Sequence, residues 1–184
     1  MKYISFILFI IFLFHPNYLS ASIKNKIIQN FEETNNLSFE FKQNINEEIE
    51  QGKCVIEYPK KIFCEYARSN NKVLVSNGKS LVIKTRTSYY RYPLEKTALN
   101  LILDKNFLIK KIYDLKERIV DNNLVNFTII ERDNEINIFF DKQTYDLVGW
   151  QNTDIYQNFN ITFLSSIRKN RVLSKNLFKI PIQN

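Results

Sequence analysis

Residues 51–94, QGKCVIEYPKKIFCEYARSNNKVLVSNGKSLVIKTRTSYYRYPL, constrain the fold more than any other stretch. Side chains on a strand alternate between its two faces. Cys54, Ile56 and Tyr58 therefore share one face with Ile62, Cys64 and Tyr66, while Lys53, Val55, Glu57, Phe63 and Glu65 share the other. The first face is apolar or aromatic throughout, and the second is mixed. Pro59 suits the first central position of a β-turn joining the two strands. A second hairpin, KVLVSN then KSLVIKT, is expected to turn tightly on Asn77-Gly78, a pair that tolerates the positive dihedrals of a type I′ connection. A meander with one face made for apolar contact is thus specified locally.

The rest of the chain obeys two periods. Residues 22–35 place Ile23, Ile27, Ile28 and Phe31 at helical spacing, and residues 37–45 switch to strict alternation of Leu37, Phe39, Phe41, Gln43 and Ile45 with polar neighbours. A short aromatic strand follows at 88–93. Thr97 is placed to cap a helix through Ala98, Leu99, Ile102 and Leu103, and a second short helix is expected at 107–113. Strands are expected again at 118–121, 124–131, 135–141, 147–152 and 157–165, with alternation in Phe127 and Ile129 and turn residues at Asp133-Asn134. Residues 168–171 read as a solvated basic turn, and 177–182 as a last apolar clasp. About ten strands in succession make an antiparallel sheet that must curl to bury its apolar face. The helix at 97–103 is unusually apolar for its length, which suits either an ordinary core helix or a lid over an apolar cavity.

With 184 residues the chain has room for one domain and a sizeable core. Residues 1–22 carry one lysine, an apolar run at 4–14 and small residues around Ser20-Ala21-Ser22, the pattern of a cleaved secretory signal peptide. The run is far short of the roughly 20 residues that span a bilayer. The expected division is therefore a signal peptide at 1–22 and one domain at 23–184, exported from the cytoplasm and, with no cysteine after the run, without a lipid anchor. Cleavage takes the net charge from +7 to +6 by removing Lys2, and takes away His15, the only histidine. A histidine general base or histidine-ligated metal is then excluded from the mature domain, no spacing points to another catalytic scheme, and no cofactor is expected. A basic, aromatic-rich chain suggests nucleic acid in principle, but export and the lack of any nucleic-acid motif argue against it.

Several motifs together carry a resemblance. G-x-x-x-I-x-x-P-x-x-I from Gly52, V-L-V-S-N-G-K-S-L from Val73, F-x-Q at Phe41 and Gln43, and F-x-x-P at Phe178 and Pro181 resemble, in order and spacing, the periplasmic lipoprotein carriers of the LolA family. The resemblance implies a mainly β fold with helices: a single antiparallel sheet curled into an unclosed β-barrel, helices covering its concave face. It implies a monomeric chaperone, not an enzyme, that binds the acyl chains of lipoproteins released by an inner-membrane ABC transporter and passes them to an outer-membrane lipoprotein receptor. On this reading Phe39, Phe41, Cys54, Ile56, Tyr58, Ile62, Cys64, Tyr66, Leu81, Ile83, Phe127 and Ile129 line the acyl-chain site, and Ala98, Leu99, Ile102 and Leu103 form its lid. A periplasmic interaction or sensor module of the same fold, with a filled core, is the alternative.

Two local expectations follow. In the family an arginine commonly precedes the motif proline and holds the lid through hydrogen bonds to backbone carbonyls; Tyr58 stands there, with one donor where a guanidinium has five. It either closes the lid in another way or is one more aromatic in the lining. For the cysteines, a three-residue loop at 59–61 sets Tyr58 opposite Ile62 and leaves Cys54 one diagonal from Cys64, about 7 Å apart and too far to bond, so free thiols are expected. A register slipped by two residues sets the cysteines face to face instead.

Overall fold

The computed structural model describes residues 21–183 apart from 68–69, 132–133 and 154–157. The expected signal peptide, save its last two residues, lies outside the described residues, as do Asp133 of an expected turn and Gln157 of the last expected strand. The chain begins with helix α1 (Ile23–Glu32), capped by the Ser22 hydroxyl, which accepts from Asn25 N–H. Six strands follow as a meander: β1 (Asn36–Ile45), β2 (Glu48–Glu57), β3 (Lys61–Tyr66), β4 (Val73–Asn77), β5 (Ser80–Lys84) and β6 (Tyr89–Pro93). A 3-10 turn (Leu94–Lys96), helix α2 (Leu99–Ile102) and helix α3 (Lys105–Asp114) lead to a second meander: β7 (Arg118–Val120), β8 (Leu124–Glu131), β9 (Asn134–Asp141), β10 (Leu147–Thr153) and β11 (Phe159–Lys169).

The two meanders are one sheet. Its eleven strands run in the order β6-β5-β4-β3-β2-β1-β11-β10-β9-β8-β7, each pair antiparallel, with β6 and β7 at its two edges. Pairing of β1 with β11 zips the meanders together, so the segment between β6 and β7 must cross from one edge to the other. It carries α2 and α3 over the concave face as it goes. An unclosed, curled antiparallel sheet with helices on its hollow side is the architecture that the resemblance implies.

Parity sorts the side chains as alternation requires. Leu37, Phe39 and Phe41 of β1 stand opposite Ile56, Cys54 and Gly52 of β2, and Ile138 of β9 stands between Phe127 of β8 and Trp150 of β10, all on the concave face. On the convex face, Val75 and Val82 are paired and buried although they point outward. The C-terminal segment crosses there: the Lys61 ammonium lies 5.8 Å from the Phe178 ring, and Lys84 donates to the Ile182 carbonyl at 2.7 Å.

Four details differ from expectation. Thr97 does not cap α2; it is extended, and its hydroxyl donates to the Leu94 carbonyl at 2.8 Å, closing the 3-10 turn. The turn between β4 and β5 centres on Gly78-Lys79 rather than Asn77-Gly78. Only Gly78 has a positive φ, as a two-residue turn with glycine at its first central position requires, and Asn77 Oδ1 accepts from Lys79 and Ser80 N–H across it. Residues 168–171 are not merely a solvated turn. Arg168 and Lys169 extend β11 past a bulge, and the Lys169 ammonium bonds Asn30 Oδ1 at 2.6 Å and Asp146 Oδ1 at 2.7 Å. Burial pushes the Asp146 carboxyl up, but its bonds from Lys169, Asn30 and Thr144 outweigh this and hold it below the usual carboxylate range.

The fourth difference concerns the cysteines. The loop after β2 is residues 58–60, so Glu57 pairs with Lys61, Ile56 with Ile62 and Cys54 with Cys64. Cys54 and Cys64 form a disulfide, and the expected free thiols are corrected by the shifted register.

Candidate functional site

The concave face is covered unevenly. Helices α1 and α3 press Ile27, Ile28 and Phe31, and Leu108, Ile109 and Ile112, onto it. The Phe31 ring meets Tyr58 and Phe140 edge-on at 5.5 and 5.7 Å, and Phe140 meets Phe127 at 6.0 Å. This region is a filled core. Beside it, over β3 to β5, the later residues of β1 and the paired ends of β10 and β11, the face stays open around a cavity of about 220 Å³.

Close backbone approach makes one wall. Gly52 faces inward between Phe41 and Tyr66, and a Cβ there would collide with the Glu65 carbonyl oxygen and crowd the Phe41 ring. The space it leaves is taken by Phe41 and Tyr66, whose rings meet edge-on at 5.0 Å. The Cys54–Cys64 disulfide adjoins them, with Ile62, Leu74, Leu81 and Ile83 as the rest of this wall and Trp150, held edge-on by Phe39 at 6.4 Å, opposite. Burial pushes the Tyr66 phenol well above its ordinary value, with the Glu50 carboxylate adding to the rise.

The roof is the segment from Leu94 to Asp104, tied at both ends to hairpin turns. Leu94 N–H donates to Lys79 O at 2.9 Å in the β4–β5 turn. At the other end Lys60 N–H, in the β2–β3 turn, donates to Leu103 O at 2.9 Å, and the Lys60 ammonium pairs with Asp104 at 3.3 Å. Ser76 donates to Lys60 O and steadies the anchor. Between the ties Thr97, Ala98 and Leu99 face the cavity, whereas Ile102 and Leu103 are sunk in the core.

Tyr58 is not the tie. Its hydroxyl is enclosed and among the described residues has no hydrogen-bond partner, and burial pushes its ionisation well above the ordinary phenol value. The Leu103 carbonyl is bound instead by the backbone of Lys60. A second lysine works nearby: Lys105 donates to the carbonyls of Glu32 and Thr34 at 2.8 Å each, closing the end of α1, with its ammonium 5.9 Å from the Tyr58 ring. Burial lowers the Lys105 pKa, a shift opposed by Glu32.

Of the residues expected at the site, Phe41, Cys54, Ile62, Cys64, Tyr66, Leu81 and Ile83 border the cavity, with Ala98 and Leu99 above them. Phe39, Ile56, Phe127 and Ile129 are buried in the packed region, as are Ile102 and Leu103. Leu74, Tyr92, Trp150 and a polar group, Gln43, Lys72, Asn152, Asn160 and Thr162, border it unforeseen. Leu74 was available from hairpin parity; Trp150, Asn152 and Asn160 depend on the long-range pairing of β1 with β11, which no local pattern announces. Among the described residues there is no group of three histidine, cysteine, aspartate or glutamate side chains that holds a metal.

A search of curated proteins finds no match to this sequence. Solved structures share its fold at low identity. A conserved protein from Thermus thermophilus matches with a TM-score of 0.52 and 9% identity over 87% of this chain and 95% of its own. A LolA superfamily protein from Nitrosomonas europaea matches with a TM-score of 0.43 and 8% identity over 87% of this chain and 99% of its own. The Pseudomonas aeruginosa MucA/MucB complex contains a chain matched at 0.45 and 11%, over 88% of this chain and 62% of that one. The family model described as outer membrane lipoprotein carrier protein LolA matches residues 32–181, from the end of α1 to Pro181, and the chain belongs to the LolA family.

Proposed function

We propose that this protein is a periplasmic carrier that shelters the acyl chains of lipoproteins in its concave cavity and hands them to an outer-membrane acceptor. The observation that carries the reading is the unfilled apolar hollow under Leu99, in a fold whose other half is tightly packed. Each methylene withdrawn from water gains about 0.8 kcal/mol, so a long acyl chain is worth on the order of 10 kcal/mol to whatever covers it. The resting cavity of about 220 Å³ is small for such cargo. Loading therefore requires the roof to move, and its few ties at Leu94, Lys60 and Asp104 suit that motion. When the cargo leaves, Ala98 and Leu99 settle back on the apolar wall and limit its exposure to water.

The residues carrying the acyl chain in this proposal are Phe41, the Cys54–Cys64 disulfide, Ile62, Tyr66, Leu81 and Ile83 with Leu99 above. An inner-membrane lipoprotein-releasing ABC transporter supplies the cargo and an outer-membrane lipoprotein receptor takes it. The filled half of the concave face favours a second reading, an interaction or sensor module that binds a protein segment and no lipid.

The test uses the exported protein, with its N-terminus sequenced to locate the cleavage expected near Ser22 or Ile23. Incubated with spheroplasts, it should release acylated lipoproteins as soluble one-to-one complexes. Leu99→Glu should abolish release, because an unpaired carboxylate in a dry hollow must be desolvated or protonated. Lys110→Glu, at an exposed position of α3, should not. Failure of the unaltered protein to release any lipoprotein or to bind a fluorescent fatty acid leaves the interaction module as the better account.

A further inference from the structure

The cavity has a polar end. Gln43, Thr162, Asn160 and Asn152 lie on the concave face of three adjacent strands, where Gln43 stands opposite Thr162 and Asn160 opposite Asn152. Thr162 makes a 3.4 Å contact from its hydroxyl to Asn160 Oδ1. Among the described residues nothing hydrogen-bonds the side-chain amide of Gln43 or that of Asn152, although Asn152 is only 8% exposed. A carboxamide carries both N–H donors and a carbonyl acceptor, and here these face the solvent of the cavity rather than packed protein. Among the described residues the cavity's lining also offers no spare charge. The Lys72 ammonium at the same rim is held by both Glu50 carboxylate oxygens, at 2.6 and 2.8 Å, and lies 4.2 Å from the Tyr66 ring. A free carboxylate entering here would find its cation already engaged.

We propose that Gln43, Asn152, Asn160 and Thr162 receive the uncharged ester or amide groups that join an acyl chain to the molecule carrying it. The site then distinguishes an acylated peptide from a free fatty acid of the same length. This rests on the acyl-chain reading above and adds a ligand class to it. The tail lies along Trp150, Ile62, Leu81 and Ile83 in the apolar depth, and the linking carbonyl and N–H lie where unpaired amides wait for an acceptor and a donor. Among the described residues the Tyr58 hydroxyl is the one enclosed side-chain atom without a partner, so the amides of Gln43 and Asn152 reach the solvent of the hollow and are free to exchange a water for a ligand carbonyl or N–H.

Two probes with one chain length separate the terms: palmitate, and an uncharged N-palmitoyl tripeptide amide, each competing with a fluorescent fatty acid. Asn152→Leu should weaken the palmitoyl peptide five- to tenfold, the effect of one or two lost hydrogen bonds, and palmitate less than twofold. Gln43→Leu, at a half-buried position that leaves the core untouched, should weaken the peptide about fivefold with the same disparity, and decides the matter if Asn152→Leu does not fold. Equal weakening of both ligands, or of neither, overturns the assignment of the band while leaving the acyl-chain site standing. If the unaltered protein binds neither probe, the carrier reading falls and this inference falls with it.

Discussion

Strands β1 and β2 take part in both regions of the concave face, which makes the two regions comparable. At Leu37 and Ile56 they are fully buried in the packed core; at Phe41 and Cys54 they border the cavity. The strand pattern is the same apolar alternation in both places. What differs is the roof. Helices α1 and α3 are ten residues each and bring an i, i+3, i+4 stripe down onto the sheet, whereas α2 is four residues and its one side chain over the cavity is Leu99. A single turn of helix cannot fill what three turns fill. Apolar alternation on a strand therefore says that a face will be covered, and the length of the covering element decides whether the space beneath is full.

The largest consequence is for stability in the packed region. Phe140 is 0% exposed, with Phe31 and Phe127 edge-on against it. Phe140→Ala should cost about 3–5 kcal/mol, the range for deleting a core aromatic whose surroundings cannot collapse. Urea unfolding measures it. Affinity for a fluorescent fatty acid, measured below the unfolding transition, should stay within twofold. Loss of affinity at unchanged stability would mean that the two regions are one site, and would break the comparison.

A smaller loss is expected in the wall of the open region. The disulfide closes a ten-residue separation that the β2–β3 hairpin already restrains, so the chain-entropy gain of roughly 3 kcal/mol for a free loop of that size is only partly realised. Replacing both cysteines, Cys54→Ala with Cys64→Ala, should cost about 2 kcal/mol in urea unfolding, less than Phe140→Ala. Because the removed sulfurs border the hollow, bound fatty acid should become more mobile by fluorescence anisotropy. An equal loss in the two variants would show the wall to be packed as tightly as the core.

The sequence made the sheet legible because its signals are local. Alternation in residues 37–45, hairpin parity in 51–94 and the stripe of Ile23, Ile27 and Phe31 each need only neighbours along the chain. Register was less legible. A loop placed one residue late, at 59–61 rather than 58–60, shifts the opposite strand by two residues and turns a disulfide into two expected thiols. The site was half legible: the β2–β5 wall follows from hairpins, but the polar end comes from β10 and β11, which reach β1 only through pairing across more than a hundred residues. Phe127 and Ile129 carry the same alternation as Ile62 and Leu81, and nothing in the strand itself tells lining from core.

Tyr58 stands where the regions meet, and it gives the smallest and sharpest prediction. Its ring packs edge-on against Phe31 of the filled region, while Lys60, two residues on, anchors the roof of the open one. Among the described residues nothing bonds the enclosed Tyr58 hydroxyl, which has given up its bonds to water and received nothing in return, a cost of about 1–3 kcal/mol. Tyr58→Phe removes that oxygen and keeps the ring, so the contacts to Phe31 and the Lys105 ammonium remain. The small void left behind offsets part of the gain. Stability should rise by about 1 kcal/mol, read as a higher urea midpoint. Amide exchange in residues 97–103 should be unchanged, since the tie at Leu103 comes from the Lys60 backbone and not from the phenol. A lower midpoint together with faster exchange in 97–103 would show instead that the hydroxyl holds the roof, and that the boundary between the filled and open regions is drawn by this side chain.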